Sequence, residues 1–508
     1  MSIISIKFLI FVIGLLFLYY IFPKKIRWSV LLIGSLIFYY LSSKKLIVFV
    51  ILSAIVIYLV GLLLNRENDK IKLLNKEDKE KKKKIIKKKK IILAIGIIIN
   101  VLFIIFTKYY NFTISNFNSL ISIFGFNGIT KLENVLLPLG ISYYTLEAIS
   151  YMTDVYRGKY KASKNIFKLL LYLTYFPKIT EGPFTRYDDF IDKVTNENKL
   201  DFDNLTIGLD LIIWGLFKKM VIADRAGLYV NEVFGASYGG ITVVLAMILY
   251  TVQIYLEFGG CIDIVRGISL LFGIRLPLNF KRPFFSKDIQ EFWRRWHISL
   301  GAWIKEYVFF PISLSHMNSK VTTFARKHFN NYFYKFTCAA FPLLFVWIIN
   351  GIWHGASNKY LIYGMYYYTL MMLGLLILPL FKNVKINKKV LDVWKIMRTL
   401  LIVIVGMTLF RSTSIHSFIN MISSIFSPST SILEQGLTII DFIIIGIGVL
   451  VLLIIGLLEE KNKIDIEKGI TNSVIVRSVI YTVLIMLIVI FGIYGEGYDV
   501  SNFIYGAF

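Results

Sequence analysis

Cysteine, histidine and acidic residues are scarce in this chain. Its 508 residues include 2 Cys, 5 His, 10 Pro and 32 Asp or Glu. Cys261 and Cys338, each beside an apolar stretch, make neither a disulfide framework nor a CxxC metal site. They read as packing residues, and no metal centre is expected. There is no GxxxxGK followed by Ser or Thr, no GxGxxG and no HExxH, so a phosphate-cradling loop, a dinucleotide fold and a zinc-protease helix have no sequence support. No repeat with a period of about 20–50 residues is visible, which argues against a solenoid. Charge is thin as well: 18% of residues are charged, against about 25% in soluble domains.

Hydrophobic sequence fills the gap. With 56% hydrophobic residues and a mean hydropathy of +0.66, the chain carries more apolar surface than one water-surrounded core can hide, which excludes a soluble enzyme. A spanning helix needs about 20 mostly apolar residues. Candidate runs are 4–22, 28–41, 46–64, 91–107, 136–153, 205–221, 241–258, 336–350, 361–381, 400–410, 437–458 and 476–494. Some are short or polar, so about 11 true spans are expected, the remainder being re-entrant or interfacial. The first run is too long for a cleaved signal and reads as the first helix. The fold class expected is an all-α polytopic membrane protein.

The formal net charge of +25 comes from 57 Lys and Arg against those 32 acids. In a soluble protein it would suggest nucleic acid; beside so much apolar sequence it reads as the cytoplasmic excess of Lys and Arg that orients membrane proteins. Residues 65–90 alone hold 13 Lys or Arg and 5 acids. This segment is expected to be a cytoplasmic loop facing anionic membrane lipid, with no nucleic-acid partner. Counting spans back from it places the amino terminus outside and Lys24, Lys25 and Arg27 inside; Lys44 and Lys45 are the discordant pair.

Polar residues interrupt the apolar helices mainly within 136–364. Arg or Asp near a bilayer centre costs about 2.5–3.5 kcal/mol on insertion scales, so such residues face a protein interior or a water-filled cavity, and their concentration implies a polar chamber. Of the five histidines, His316, His328 and His416 lie in polar surroundings and are expected to meet water. His354 differs, sitting in Asn350-Gly351-Ile352-Trp353-His354-Gly355-Ala356 directly after an apolar run. It reads equally as a functional group or a hydrogen-bonded core residue. His297 lies in Phe292-Trp293-Arg294-Arg295-Trp296-His297, preceded by Asn279-Phe280-Lys281-Arg282-Pro283. That mixture suits an interfacial anchor, and equally a site for a phosphate-bearing donor, because Arg forks match phosphate geometry. Two histidines without a metal cluster are suited to acyl transfer. A neutral imidazole takes the proton of an acceptor hydroxyl as that oxygen attacks an activated thioester, while a second polar group orients the acceptor or stabilises the oxyanion.

At these residues the chain resembles the membrane-bound O-acyltransferase (MBOAT) superfamily, in particular its bacterial branch typified by alginate O-acetyltransferases. The matching blocks are LPLGISYYTLEAISYMTDVYRG at 137–158, FPKITEGPFTRYDDF at 176–190, residues 253–311 with RRWHIS at their centre, NGIWHGAS at 350–357 and LFRS at 409–412. Family members often read FDFSGYSDMA where this chain has LEFGGCIDIV, and WLRDY where it has WIKEY; Glu257 and Asp263 keep the acidic positions of the first block. The resemblance implies helices around a thin central region, with a tunnel joining a cytoplasmic funnel to an outer opening. It matches His354 to the catalytic histidine and His297 to the second motif histidine, with Arg294, Arg295, Trp296, Trp353, Asn279, Lys281, Arg282, Glu257 and Asp263 as substrate-binding positions. It divides the chain into amino-terminal spans (1–135), a catalytic core (136–364) and carboxy-terminal spans (365–508) of one membrane domain.

The function so implied is transfer of an acyl group, acetyl in the first reading, from a cytoplasmic thioester to hydroxyls of an extracellular or cell-wall polysaccharide. No cofactor is expected to stay bound; the donor expected is acetyl-CoA or another acyl thioester. The partners expected are an acyl donor or carrier on the cytoplasmic side, the polysaccharide or a secreted acetyltransferase partner, and membrane lipid, in the plasma membrane. Two alternatives stand beside this reading: D-alanyl transfer to teichoic acid from a carrier protein, and, from another class, a polytopic transporter or flippase, for which no inverted repeat is evident.

Overall fold

The computed structural model describes residues 2–125, 128–132, 137–196, 198–377, 387–433, 435–464, 469, 471 and 473–494. The expected Leu136 span start and residues 378–381 of the run 361–381 lie outside them. Among the described residues every regular element is helical, apart from one antiparallel bridge between Phe280 and Trp296. The all-α class expected from the apolar runs is therefore what forms.

Eight helical segments among these residues are long and apolar enough to cross a bilayer: Lys24–Lys72, Lys79–Ser122, Ile241–Leu271, Asn331–His354, Asn358–Ile377, Lys388–Arg411, Ile439–Glu460 and Val474–Phe491. The first breaks into two helices, Arg27–Ser43 and Ile47–Lys72, at a short turn that carries Lys44 and Lys45. Ile6–Ile21 is apolar but shorter. The outer faces are as greasy as a core. Only 6% of the apolar window of Val474–Phe491 is buried, and 17% of that of Ile439–Glu460. Soluble proteins do not expose apolar surface on this scale, whereas lipid solvates it and a helix satisfies its own backbone there. The chain is a multi-pass membrane protein.

Contacts divide it into two compact units, Met1–Asp201 with Ser269–Leu276, and Phe202–Ile268 with Pro277–Phe508. In the first, the core is rich in fully buried tyrosines, among them Tyr19, Tyr39, Tyr144, Tyr151, Tyr172 and Tyr175. Tyr19 and Tyr20 donate to the carbonyls of Phe272 and Leu271, which ties the segment 269–276 to the first helix. A buried ion pair clasps Ile141–Arg157 to the segment after Ile166–Thr174: Lys178 Nζ donates to Glu147 Oε1 at 2.6 Å and to Thr185 Oγ1 at 2.8 Å. The basic stretch 65–90, expected as a loop, is mostly helix, because Ile47–Lys72 and Lys79–Ile104 continue through it and leave 73–78 as the turn. Lysine is a good helix former, and the buried Glu67 accepts from Lys70 at 2.9 Å and from Lys88 at 3.0 Å, which pins the two helices together.

In the second unit the helices that carry the site approach to backbone contact. A Cβ on Gly267 would lie 2.5 Å from Gly208 O, and one on Gly215 would lie 2.5 Å from Gly260 O, so Phe202–Leu216 packs on Ile241–Leu271 through glycines seven residues apart on each helix. The same device joins Asn331–His354 to Asn358–Ile377. A Cβ on Gly351 would meet Tyr360 O at 2.4 Å, and one on Gly364 would meet Trp347 O at 2.2 Å. Small residues are how membrane helices gain packing without a hydrophobic drive between them. Gly364→Ala is therefore expected to force these two backbones apart, at a cost of about 1–3 kcal/mol as for other overpacked sites. A lowered melting temperature in detergent, together with reduced activity, checks this; an unchanged melting temperature contradicts it.

Candidate active site

The short bridge between Phe280 and Trp296 sets the first half of the site. Lys281 N donates to Arg295 O at 2.9 Å and Ile298 N to Asn279 O at 2.9 Å, so the NFK and RWH stretches run antiparallel with Asn279 opposite His297. His297 caps the helix Ile298–Ile304 in the left-handed region, at φ +48°. This conformation is uncommon for a residue with a Cβ and is kept where surrounding structure enforces it. Here the enforcement is visible. Asn279 Oδ1 lies 3.2 Å from His297 Nδ1 and accepts from Ser299 N at 3.1 Å and Ser299 Oγ at 2.8 Å. A backbone N–H can only donate, so the Asn279 atom facing it is the oxygen. His297 Nδ1 must then carry the proton it donates to that oxygen, and the neutral ring keeps its lone pair on Nε2.

His354 is the last residue of the helix Asn331–His354, and like His297 it is buried, with exposures of 3% and 2%. Three rings box its imidazole edge-on: Trp353 at 5.0 Å, Phe410 at 5.2 Å and Tyr363 at 5.9 Å between centroids. Trp353 also stands 5.9 Å from the ring of His297, whose other side meets Phe258 at 5.0 Å. The two histidines thus contact one indole. Burial pushes the His297 imidazole well below its usual range, and the His354 ring adds to the effect. Because the unfolded chain takes up that proton near pH 6.5 and the folded one does not, stability should fall as pH drops from about 7 to 5, by at most about 1.4 kcal/mol per pH unit for one site. His297→Gln should flatten this slope in melting curves recorded across that range. An unaltered slope would show that His297 does not resist protonation.

Beside Asn279 opens a cavity of about 700 Å³, lined by five cationic side chains, Lys218, Arg266, Lys281, Arg282 and Lys463, and by two carboxylates, Asp263 and Glu459. Tyr255, Trp214 and Phe280 supply its apolar wall. Asn279 both lines this cavity and contacts His297. The surplus of positive charge favours an anionic occupant, and Arg282, in the left-handed region at φ +48°, is held facing it by an ion pair to Glu460 at 3.0 Å. Among the described residues no three His, Cys, Asp or Glu side chains cluster as metal ligands.

The family model described as MBOAT, membrane-bound O-acyltransferase family, matches residues 161–326, which include His297. A probable alginate O-acetylase AlgI of Pseudomonas aeruginosa is 31% identical over 377 residues, covering 73% of this chain and 68% of that protein. The chain belongs to the membrane-bound O-acyltransferase family. A probable alginate O-acetylase AlgI of Pseudomonas syringae pv. tomato is 32% identical over 338 residues, 66% of this chain and 60% of the relative. A teichoic acid D-alanyltransferase of Bacillus subtilis is 32% identical over 247 residues, 47% of this chain and 59% of the relative. The chain thus matches about 60–68% of the length of these alginate O-acetylases.

Within this O-acyltransferase family member the residues singled out from sequence separate into groups. His297, Asn279, Trp353 and His354 come together as described. Lys281, Arg282 and Asp263 line the cavity, Asp263 as the partner of Lys218. Arg295 is committed elsewhere: its guanidinium grips Glu460 through two hydrogen bonds of 3.0 Å and reaches Glu291 at 2.6 Å, so it orders the wall behind the cavity. Arg294 is exposed. Trp296 is fully buried among Phe280, Phe284, Phe292 and Tyr255. Glu257 pairs with the buried Lys219 at 3.2 Å, beside Asp224, which Lys219 reaches at 2.5 Å. His316, His328 and His416 are exposed. Sequence reasoning passed over Lys218, Lys219, Arg266 and Lys463. The adjacent Lys218-Lys219 pair inside an apolar run was the available signal, and the π-helical turn Phe217–Ala223 that carries it is a feature often found at functional sites.

Proposed function

We propose that this chain is a membrane O-acyltransferase of the plasma membrane that moves an acetyl group from a cytoplasmic thioester, acetyl-CoA, to hydroxyls of an extracellular or cell-wall polysaccharide. The observation that carries the reading is the buried histidine pair that shares Trp353, linked through Asn279 to a cationic cavity. The phosphates of the donor would lie against Lys218, Arg266, Lys281, Arg282 and Lys463, with the thioester directed toward the histidines. The hydroxyl oxygen of the acceptor attacks the carbonyl carbon of the thioester while its proton passes to His354. The C–S bond then breaks, and the departing thiolate takes that proton. As an acceptor at Nε2, His297 orients the acceptor sugar through a neighbouring hydroxyl, since the attacking hydroxyl gives its single proton to His354; a neutral ring in this tautomer offers no N–H at that nitrogen to an oxyanion. The amino terminus would face outward and the basic helical hairpin of 65–90 inward.

D-alanyl transfer from a carrier protein to teichoic acid is the second reading, favoured by the similarity to the Bacillus subtilis D-alanyltransferase. Deleting the gene and measuring what mild base releases from the cell surface separates the two. Loss of acetate supports the first reading and loss of D-alanine the second. Unchanged release of both would remove acyl transfer to surface polymers altogether.

A further inference from the structure

Against the backbone of Phe410, whose ring packs on His354, stands a cation that the reaction above does not use. Lys359 follows Asn358 at the start of the helix Asn358–Ile377 and is half-buried. Its Nζ donates to Phe410 O at 3.1 Å and to Ser412 O at 2.6 Å, and lies 4.6 Å from the Tyr360 ring centroid. Those carbonyls end the helix Lys388–Arg411, where backbone acceptors have no intrahelical partner and the helix dipole is negative. An ammonium there satisfies both at once, and an ionisable residue in a spanning segment is costly enough to imply a role.

Phe410 connects this cap to the chemistry. Its ring meets His354 edge-on at 5.2 Å and 89°, Tyr363 at 5.2 Å and Tyr360 at 5.3 Å. Tyr360 and Tyr363 belong to the helix that Lys359 begins, so the cap staples the Phe410 wall of the His354 box to the helix that carries its Tyr363 wall. The far side of the same helix end is held separately, by Arg411 donating to Asn231 Oδ1 at 2.8 Å. We propose that Lys359 is a positioning residue for His354: by capping the carbonyls of Phe410 and Ser412 it holds the Phe410 ring against the imidazole and fixes the direction in which that ring presents its nitrogen. This rests on His354 being the proton acceptor in acyl transfer.

The test uses the full chain purified in detergent and reconstituted in vesicles, with acetyl-CoA as donor. Lys359→Met should lower kcat by about 10-fold to 10²-fold, the range for a sub-ångström to 1 Å misplacement of a reacting group, with KM for acetyl-CoA within about 2-fold of wild type. Lys359→Arg should restore most of the loss. Phe410→Leu should lower kcat similarly, and adding Lys359→Met to it should lower kcat little further, because the two act through one contact. A readout independent of turnover is the ¹⁵N spectrum of histidine-labelled protein, simple with 5 histidines; the His354 signals, identified by their loss in His354→Gln, should shift or broaden in Lys359→Met. Should Lys359→Met not accumulate, Lys359→Gln carries the same expectations at smaller amplitude. Full kcat in these variants, additive losses with Phe410→Leu, or unmoved His354 signals would each overturn the proposal. Absence of acetyl transfer in the wild-type protein would instead overturn the acetyl reading, and leaves the spectral test of the cap standing.

Discussion

His354→Ala is expected to abolish acyl transfer while the protein still inserts and accumulates. A positioned general base contributes about 10²–10⁴-fold, and no other imidazole shares the box formed by Trp353, Tyr363 and Phe410, so the loss should reach at least ~10²-fold. Folding should survive for a local reason. His354 ends its helix, where alanine is the best helix former, and the close approach of that helix to its neighbour depends on Gly351 and Gly364 rather than on the imidazole. His354→Gln, which keeps a hydrogen-bonding side chain of similar reach without a titratable ring, should be as inactive. The measurement is base-labile acyl groups on the surface polymers of cells carrying each variant, with membrane-fraction immunoblots to confirm accumulation. Retained acylation in His354→Ala cells would remove it from the reaction.

His297→Ala should be less severe, with kcat down by about 10-fold to 10²-fold, because a water molecule can partly take over the orienting of a hydroxyl. The left-handed backbone at this position needs its own control. Asn visits that region more readily than Ala, so His297→Asn tests the loss of the ring with less backbone penalty, and the two variants should agree within a few-fold. Asn279→Ala should reproduce part of the same loss. It removes the oxygen that holds the Nδ1 proton, so that the ring can turn or switch tautomer, and it leaves Ser299 N–H and Oγ–H without their acceptor. If His297→Ala and His354→Ala are equally and totally inactive, the two histidines form a proton relay and the division of labour proposed for them is wrong.

Much of the fold was legible in the run of apolar residues. Lipid leaves a spanning segment little choice but helix, so the all-α class followed from composition. The number of crossings was harder to read, since Lys24–Lys72 carries two helices in one apolar segment and Ile6–Ile21 is shorter than a typical span. The stretch 65–90 was read as a loop because its charge is solvated. Solvation does not oppose helix, and Glu67 with Lys70 and Lys88 makes a hairpin of it. The histidines were legible through their settings, RRWHIS and NGIWHGAS. Three arginines could not be sorted by sequence: the acids that engage Arg295 and Arg282 include Glu460, more than 160 residues away in the chain, whereas Arg294 is simply exposed. The same distance hid Lys463, which reaches the cavity from the far end of the chain.

By itself the sequence determined that this protein lives in lipid, that it is helical, and which two histidines stand apart from the rest. These follow from local composition and short motifs, which act within a few turns of the chain. Only the tertiary structure decided which tautomer His297 adopts, that both histidine rings contact Trp353, and which cations face the cavity. Each of these depends on groups brought together from distant segments, Asn279 against His297, Phe410 against His354, Glu460 against Arg295, and a hydrogen bond or ring contact is decided by position in space rather than by order in the chain.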